Sequence, residues 1–247
     1  VGLRIEVVVS HRLEQHGPGH DLAGVAHQVF EQAELARLQL DGVAGTAHRA
    51  REQVQFEVGD LRSWRPDAPV DVLVSNATLQ WVPGHLELLP SLLSGVAPGG
   101  WFAFQVPGNF DEPSHTLLRA LASSPRWRDR LGTDVLAWPD SHPAAAYLDV
   151  LARLGCRVGA WETTYLHLLR GEDAVLDWVS GTALRPVLAA LDDPDRTEFV
   201  STYGAALREA YPQRPYGTVL PYRRIFAVAH KAEPYTSGEA GASKEPA

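Results

Sequence analysis

The stretch Val70-Asp71-Val72-Leu73-Val74-Ser75-Asn76-Ala77-Thr78-Leu79-Gln80-Trp81-Val82-Pro83 decides the fold. A short run of Val and Leu ends at a small polar pair and then turns toward a new helix. This pattern predicts a buried parallel strand that delivers Asn76 to its carboxyl end. Open α/β sheets bind ligands at that edge, so Asn76 and Trp81 are predicted to form a pocket wall. The alternative is that Asn76 only caps the turn and Trp81 only packs beneath the next helix.

Length and composition are those of one large α/β domain. The chain has 247 residues, of which 45% are hydrophobic and 21% charged. The net charge of −8 and the lack of a membrane-length apolar run predict neither a nucleic-acid nor a membrane partner. A single cysteine, Cys156, excludes an intrachain disulfide and favours a reducing compartment, so we predict a cytoplasmic location. The number of subunits stays open.

The first fifty residues have the layout of a nucleotide-binding segment. A strand at 4–9, a loop Gly17-Pro18-Gly19 and a helical pattern follow one another, and such loops let the backbone approach a ligand. Gly17 and Gly19 are therefore candidate cofactor contacts, with a plain turn as the competing interpretation. A second strand at 35–40 ends at Asp41, where an acid can bind ribose hydroxyls. A solvated turn residue is the alternative for Asp41.

Two further features concern the same region. The chain begins at Val1, contains no Met, and has five of its ten His residues before position 50, which leads us to expect a truncated or altered start. His16 and His20 lie four residues apart beside Asp21, but no further ligands match them. No metal site is predicted.

The pattern becomes regular from position 51. A third strand at 54–58 ends at Gly59-Asp60-Leu61, where a fixed carboxylate would be a directional hydrogen-bond acceptor. The alternative is that Asp60 caps the following turn. A leucine-rich helix at 86–93 is predicted to end at Val96-Ala97-Pro98-Gly99-Gly100, which turns the chain sharply into a strand at 101–106.

Beyond Pro107 the chain leaves simple β/α alternation. A polar loop at 108–115 is predicted to overhang the pocket, with Asn109, Ser114 and His115 as candidate substrate contacts and loop or cap roles as the alternatives. Helices are predicted within 108–154 and 170–220, and strands at 157–167 and 223–229. Pro186 is predicted to interrupt a helix and to turn Arg185 away from regular packing. Residues 232–247 are predicted to be a disordered tail.

Several long motifs in the same order carry a resemblance to a known family. They are Gly59-Asp60-Leu61-Arg62-Ser63-Trp64, the segment 75–83, Gln105-Val106-Pro107-Gly108-Asn109-Phe110, Trp161-Glu162-Thr163-Thr164-Tyr165-Leu166-His167, the segment 177–186 and Tyr222-Arg223-Arg224-Ile225-Phe226. Together they resemble class I S-adenosylmethionine-dependent methyltransferases, and more closely the trans-aconitate 2-methyltransferase family. The resemblance extends from about residue 51 to about residue 231.

The resemblance implies a Rossmann-like seven-stranded α/β sheet with helical insertions after the fifth and sixth strands. These elements would form one domain over residues 1–231, in which 1–50 is a degenerate cofactor-binding half and the insertions cover the substrate. It implies S-adenosyl-L-methionine as cofactor. In this family Asp60 would accept a hydrogen bond from the adenine amino group and Leu61 would flank the ring. Asn76, Ala77 and Trp81 would complete the cofactor contacts.

The implied reaction is methylation of a carboxylate of trans-aconitate or a related tricarboxylic acid. Arg185 and Arg224 match arginine positions of the family, and Tyr165 and His167 would line the substrate pocket. A surface ion pair is the alternative for each arginine. No catalytic side chain is expected, because a carboxylate is already ionised near neutral pH.

A second hypothesis belongs to a different class. Only Gly17-Pro18-Gly19 stands where the family has an acid and three glycines. The incomplete motif would suit a non-catalytic methyltransferase homologue that acts as a binding or interaction protein.

Overall fold

One mixed sheet organises the protein. The computed structural model describes residues 59–232 and the backbone of residues 5–8. Its strands are β1 Ile5–Val8, β2 Val70–Asn76, β3 Val96–Pro107, β4 Arg157–Leu169 and β5 Thr218–His230, in the spatial order β1-β2-β3-β5-β4. The first three strands are parallel, and β5 lies antiparallel between β3 and β4.

The predicted α/β class is confirmed, and so are the predicted strands that fall on described residues. The predicted strands at 35–40 and 54–58 lie outside the described residues. Strand β2 is largely buried, with Val70, Val72 and Leu73 all in the core. This burial explains the apolar residues at the start of the segment 70–83. A strand between two parallel neighbours has both faces covered, so it needs apolar residues at successive positions.

Seven α-helices accompany these strands within 59–232. They are α1 His85–Ser94, α2 Pro113–Ala122, α3 Arg128–Val135, α4 Ala144–Arg153, α5 Ala174–Ser180, α6 Arg185–Ala190 and α7 Asp193–Ala210. The predicted helical content of 108–154 and 170–220 is thereby confirmed. Their role as a cover over a substrate stays a prediction.

Two local predictions were wrong. Helix α1 ends at Ser94 with Gly95 as its C-cap, and Pro98-Gly99-Gly100 forms an irregular segment inside β3 rather than the end of the helix. Gly100 fits there because a Cβ would lie 2.7 Å from the carbonyl oxygen of Asp71. Pro186 does not interrupt a helix either, because it occupies the first turn of α6, where its missing N–H costs nothing.

Helices α2, α3, α5, α6 and α7 share a hydrophobic core. Two tyrosines link this core to the start of α2: the Tyr203 hydroxyl donates to the Ser114 carbonyl, and the Ser114 N–H donates to the Tyr211 hydroxyl at 3.0 Å. The buried members of this core include Leu118, Trp127, Val179, Leu184, Val187, Phe199, Tyr203 and Leu207. The first turn of α2, which follows the polar loop after β3, is therefore held in place by α7 and by the residue that caps it.

The chain divides into two compact units. One comprises Val1–Ser10 and Trp64–Ala247, and the other comprises His11–Ser63. In the second unit the structure describes residues 59–63. The domain layout and the tail at 232–247 stay predictions, since the tail from 233 onward lies outside the described residues. None of the helices within the described residues is both long and apolar enough to cross a membrane.

A buried hydrogen-bond network joins α1 to α4. His85 is 2% exposed, and its Nδ1–H donates to the Val82 carbonyl at 3.3 Å. Its Nε2 then accepts from the Tyr147 hydroxyl at 2.8 Å, and that oxygen accepts from the backbone N–H of His142 at 3.1 Å. Burial is the main cause that lowers the pKa of His85 from 6.5 to about 4. The imidazole is therefore neutral in the folded protein at neutral pH.

We expect the free energy of unfolding to decrease as the pH falls from about 6.5 to about 4. In this window the unfolded chain binds a proton at His85 and the folded chain does not, which costs up to about 3 kcal/mol. Urea titrations at pH 7, 6, 5 and 4.5 measure this slope. His85→Asn should make the slope shallower, leaving the part due to His115, while lowering stability at pH 7. An unchanged slope in the variant would show that His85 does not cause the acid sensitivity.

Candidate functional site

The carboxyl ends of several strands meet at one edge of the sheet, which we call the carboxyl edge. Strand β2 ends there at Asn76 and β3 ends there at Pro107. Since β4 runs parallel to β3, its carboxyl half reaches the same edge, together with the amino half of β5. The structure thus places Asn76, the segment after Pro107 and the Tyr165–Arg224 region at the carboxyl edge; their role as a binding site stays a prediction.

Strand register sorts the side chains at this edge by face. Asn76 is paired with Gln105, and Gln105 with Phe226. Arg224 lies two residues from Phe226 on the same strand, so Asn76, Gln105 and Arg224 belong to one face, which we call the Arg224 face. From strand spacing, the Cα atoms of Asn76 and Arg224 are about 12 Å apart.

The turn after Asn76 has an unusual backbone. Ala77 has a φ of +49°, in the left-handed region that residues other than glycine rarely adopt. Three hydrogen bonds fix it: the Ala77 N–H donates to the Gln105 carbonyl at 2.9 Å, Gln80 Nε2 donates to the Ala77 carbonyl at 2.6 Å, and Thr78 Oγ1 donates to the Asn76 carbonyl at 3.0 Å. Strained backbone that is held in this way is common at ligand sites. Trp81 ends the following 3-10 turn, Leu79–Trp81, and is half-buried.

Several buried polar atoms near this edge lack a hydrogen-bond partner among the described residues. They are Ser75 Oγ, Gln80 Oε1, Gln105 Oε1 and Asn109 Oδ1. Leaving such an atom unpaired costs about 1–3 kcal/mol, so each is suited to a bound ligand or water. Sequence analysis missed Gln105, although an amide within the otherwise apolar strand at 101–106 was a visible signal.

The segment after β3 is fixed by Arg223 and by a close approach of Gly108. The Gly108 N–H donates to the Arg223 carbonyl at 2.8 Å, and Arg223 Nε donates to the Gly108 carbonyl at 2.6 Å. The same guanidinium donates to Glu162 at 3.1 Å, and Glu162 accepts from the N–H of Ala144 at the start of α4. Asn109, which is 5% exposed, directly follows Gly108, whose backbone these hydrogen bonds fix.

Gly108→Ala should lower the free energy of unfolding by about 1–3 kcal/mol, the usual cost of overpacking. A Cβ there would lie 2.7 Å from Ile225 Cδ1 and 3.0 Å from Arg223 Nε. Gly181→Ala is the matched control, because its nearest contact would be an ordinary 3.8 Å. Guanidinium denaturation compares the two variants. Equal stabilities would contradict the tight packing at Gly108.

Arg224 differs from its neighbour Arg223. Within residues 59–232 its guanidinium forms no ion pair, whereas Arg223 pairs with Glu162. Its Cζ lies 5.4 Å from the ring centre of Tyr222 and 5.7 Å from that of Tyr165. His167 lies 6.4 Å from Tyr165 and 5.0 Å from Trp178, ring centre to ring centre. The structure thus brings together Tyr165, His167 and Arg224, three of the predicted substrate residues.

His115 and Arg185 lie on helices α2 and α6. His115 is half-buried in α2, with its Nδ1 3.2 Å from Ser114 Oγ and its ring 5.3 Å from Phe110. Burial, and to a smaller extent Arg119, lowers the pKa of His115 to about 4, so it is neutral near pH 7. Arg185 is half-buried at the start of α6. Its guanidinium makes no ion pair within the part of the chain that the structure describes.

The predicted adenine-binding residues lie in the second unit. Asp60 is exposed, and its carboxylate accepts hydrogen bonds from Arg62, the shortest at 2.6 Å from Nη2. The backbone N–H of Arg62 also donates to Asp60 at 3.0 Å, while Leu61 is 8% exposed. Gly17, Gly19 and Asp41 lie outside the described residues.

One cleft lies beside the polar loop after β3, since the N–H of its lining residue Glu112 donates to the Asn109 carbonyl at 3.1 Å. Its lining includes Glu112, Arg214, Val219 and Pro221. Val219 and Pro221 alternate with the residues of β5 that share the face of Arg224, so the cleft lies against the opposite side of that strand. The lining carries one acid, Glu112, and one base, Arg214.

The strand order of the sheet and the helices between its strands are those of a class I S-adenosylmethionine-dependent methyltransferase fold. No protein-family model matches the sequence. Curated relatives named trans-aconitate 2-methyltransferase do match it. One from Streptomyces avermitilis is 60% identical over 180 residues, covering 72% of this chain and 66% of the relative. One from Mycobacterium tuberculosis is 43% identical over 234 residues, covering 90% of this chain and 85% of the relative. The chain belongs to the trans-aconitate 2-methyltransferase family.

The extent of the match differs among relatives. The chain spans 66% of the Streptomyces avermitilis protein and 65% of a Streptomyces coelicolor relative that is 53% identical over 207 residues and covers 81% of this chain. Among solved structures, "Loganic acid methyltransferase with SAH" aligns with a TM-score of 0.44 at 12% identity, covering 70% of this chain and 65% of that chain. That score is too low to support a conclusion about function.

Proposed function

We propose that this protein transfers a methyl group from S-adenosyl-L-methionine to a carboxylate of trans-aconitate, giving a monomethyl ester and S-adenosylhomocysteine. The observation that carries the proposal is Arg224. It lies on the same sheet face as Asn76 and has no ion-pair partner within residues 59–232. A multiply charged acid cannot enter a pocket without compensating cations, and a guanidinium binds a carboxylate through two parallel N–H donors.

Features of the first unit fit the proposed cofactor. The strained Ala77 backbone and the unpaired Gln105 Oε1 lie where β2 and β3 end, at the edge where open α/β sheets bind nucleotides. We propose that Asn76, Ala77 and Trp81 contact the cofactor. When bound, S-adenosyl-L-methionine supplies an activated methyl group to the acid. Gly17, Gly19 and Asp41 remain proposed cofactor contacts on sequence grounds.

In the second unit, Asp60 and Leu61 are proposed to bind the adenine ring. Arg62 fixes the direction of the Asp60 carboxylate, and an ionised carboxylate has about four acceptor sites. A carboxylate held in this direction would accept a hydrogen bond from the adenine amino group. Leu61 supplies an apolar side chain next to this acceptor.

The chain's own residues need only bind, orient and exclude water. The attacking carboxylate is ionised near neutral pH and needs no general base. Correct orientation of the reactants can lower the barrier by about 7–11 kcal/mol. We propose that Arg224 and Arg185 bind the carboxylates and that Tyr165 and His167 line the pocket. Asn109 and His115 would add neutral contacts, since His115 carries no charge near pH 7.

The proposal includes the small acid as a partner, neither nucleic acid nor membrane as partners, and a cytoplasmic location. The net charge of −8 supports a substrate drawn in by local arginines rather than by the overall field of the protein. Within the described residues, Cys156 is a free thiol, which suits a reducing compartment.

Isothermal titration with S-adenosylhomocysteine tests the proposal. We expect saturable binding with one site per chain. The absence of measurable heat at millimolar ligand would favour the non-catalytic alternative.

A further inference from the structure

The orientation of Arg224 is set by two tyrosine rings. Thr163 of β4 is paired with Arg224, and the next pair on the same face is Tyr165 with Tyr222. Both rings therefore lie on the side of Arg224 toward the end of β4 and the start of β5. Because the Cζ atom is within 6 Å of both ring centres, the guanidinium is turned past Pro107 and beyond the carboxyl edge. It is turned away from the stacked pair Trp161 and Phe226 at the other side.

Tyr222 is itself held by aromatic neighbours. Its ring centre lies 5.9 Å from that of His167 and 6.3 Å from that of Trp178 on α5. Burial raises the pKa of the Tyr222 hydroxyl, and the nearby Arg224 lowers it to a smaller extent. Tyr165, in contrast, is 43% exposed. Tyr222 is therefore the more fixed of the two rings that contact the guanidinium.

We propose that Tyr222 is a positioning residue, whose ring holds the Arg224 guanidinium in place to receive a substrate carboxylate. A cation–π contact uses the face of the aromatic ring and leaves N–H donors of the guanidinium available for an anion. Trp178 and His167 keep the Tyr222 ring fixed, so α5 contributes to the site through Tyr222. This inference rests on the proposed function, because it assigns Arg224 to the substrate.

Steady-state kinetics of five variants test this role. Tyr222→Leu should raise the KM for trans-aconitate about 3- to 30-fold, with kcat changed less than about twofold. Tyr222→Phe keeps the ring and should restore the wild-type KM. Tyr216→Leu is the matched control, since Tyr216 lies just before the start of β5, is 56% exposed and accepts a hydrogen bond from Arg214. In Arg224→Lys protein, adding Tyr222→Leu should have little further effect, because the two residues act together.

A second measurement does not depend on activity. The Arg224 Nε–H resonance, assigned by its loss in Arg224→Lys, should shift when Tyr222 is replaced by Leu and return toward its original position with Phe. If the wild-type protein fails to methylate trans-aconitate, the proposed function is wrong and this resonance still reports whether Tyr222 holds Arg224. An unchanged KM and an unshifted resonance in Tyr222→Leu would overturn the inference. Equal losses in the Leu and Phe variants would also overturn it, since the hydroxyl would then be responsible.

Discussion

Arg224→Lys is expected to raise the KM for trans-aconitate about 10- to 100-fold. Each charge-assisted hydrogen bond contributes about 1.5–3 kcal/mol, and 1.4 kcal/mol is a factor of ten in affinity. Lysine keeps the charge but loses the planar pair of donors that fits a carboxylate, and it also loses the contacts with Tyr165 and Tyr222. The dissociation constant for S-adenosylhomocysteine should stay within twofold of wild type.

Arg157→Lys is the matched control for this variant. Arg157 also lies over an aromatic ring, with its Cζ 6.0 Å from the ring centre of Trp101, but it begins β4 at the opposite edge of the sheet. Its replacement should leave the KM unchanged. An unaltered KM in Arg224→Lys would remove Arg224 from the substrate site, and equal effects of the two replacements would point to a general electrostatic effect.

Asp60→Ala is expected to raise the dissociation constant for S-adenosylhomocysteine about 10-fold or more, and to leave the fold intact. The lost hydrogen bond to a charged acceptor contributes about 1.5–3 kcal/mol. Asp60 is exposed, so its removal leaves no cavity in the core. Isothermal titration gives the dissociation constant, and thermal unfolding monitors stability.

Arg62→Ala distinguishes the effect of the Asp60 carboxylate itself from the effect of its ion pair with Arg62. The side chain of Arg62 is 71% exposed, and exposed ion pairs contribute about 0–1 kcal/mol, so the dissociation constant should rise no more than about fivefold. A larger effect from Arg62→Ala than from Asp60→Ala would contradict a direct role for Asp60. Wild-type affinity in Asp60→Ala would contradict it as well.

Much of the sheet could be predicted because its signals are local. The run from Val70 to Asn76 is apolar at successive positions and then stops at a polar pair, which is the pattern of a buried parallel strand. The start of α7 has an equally local signal in Asp192-Asp193-Pro194, where the Asp192 side chain accepts from the N–H of Asp195 and caps the helix. The prediction that Pro98-Gly99-Gly100 ends the helix was wrong because these residues are compatible with an irregular strand as well as with a turn.

The arrangement of side chains at the carboxyl edge could be predicted only in part. The family resemblance predicted Arg224 and Tyr165 as substrate residues. It did not predict that the Arg223 guanidinium donates to Glu162 and to the Gly108 carbonyl, whereas the Arg224 guanidinium forms no ion pair within residues 59–232. The difference arises because neighbouring residues of a strand point to opposite faces of the sheet. Which residues they meet there depends on the pairing of strands that are far apart in sequence. Tyr222 and Gln105 were missed for the same reason.

Methyl transfer to trans-aconitate tests the central claim most directly. The protein, incubated with methyl-labelled S-adenosyl-L-methionine and trans-aconitate, should yield a labelled monomethyl ester detectable by mass spectrometry, and the yield should fall in Arg224→Lys at limiting substrate. Absence of the ester, in protein that binds S-adenosylhomocysteine with one site per chain, would contradict the proposed reaction.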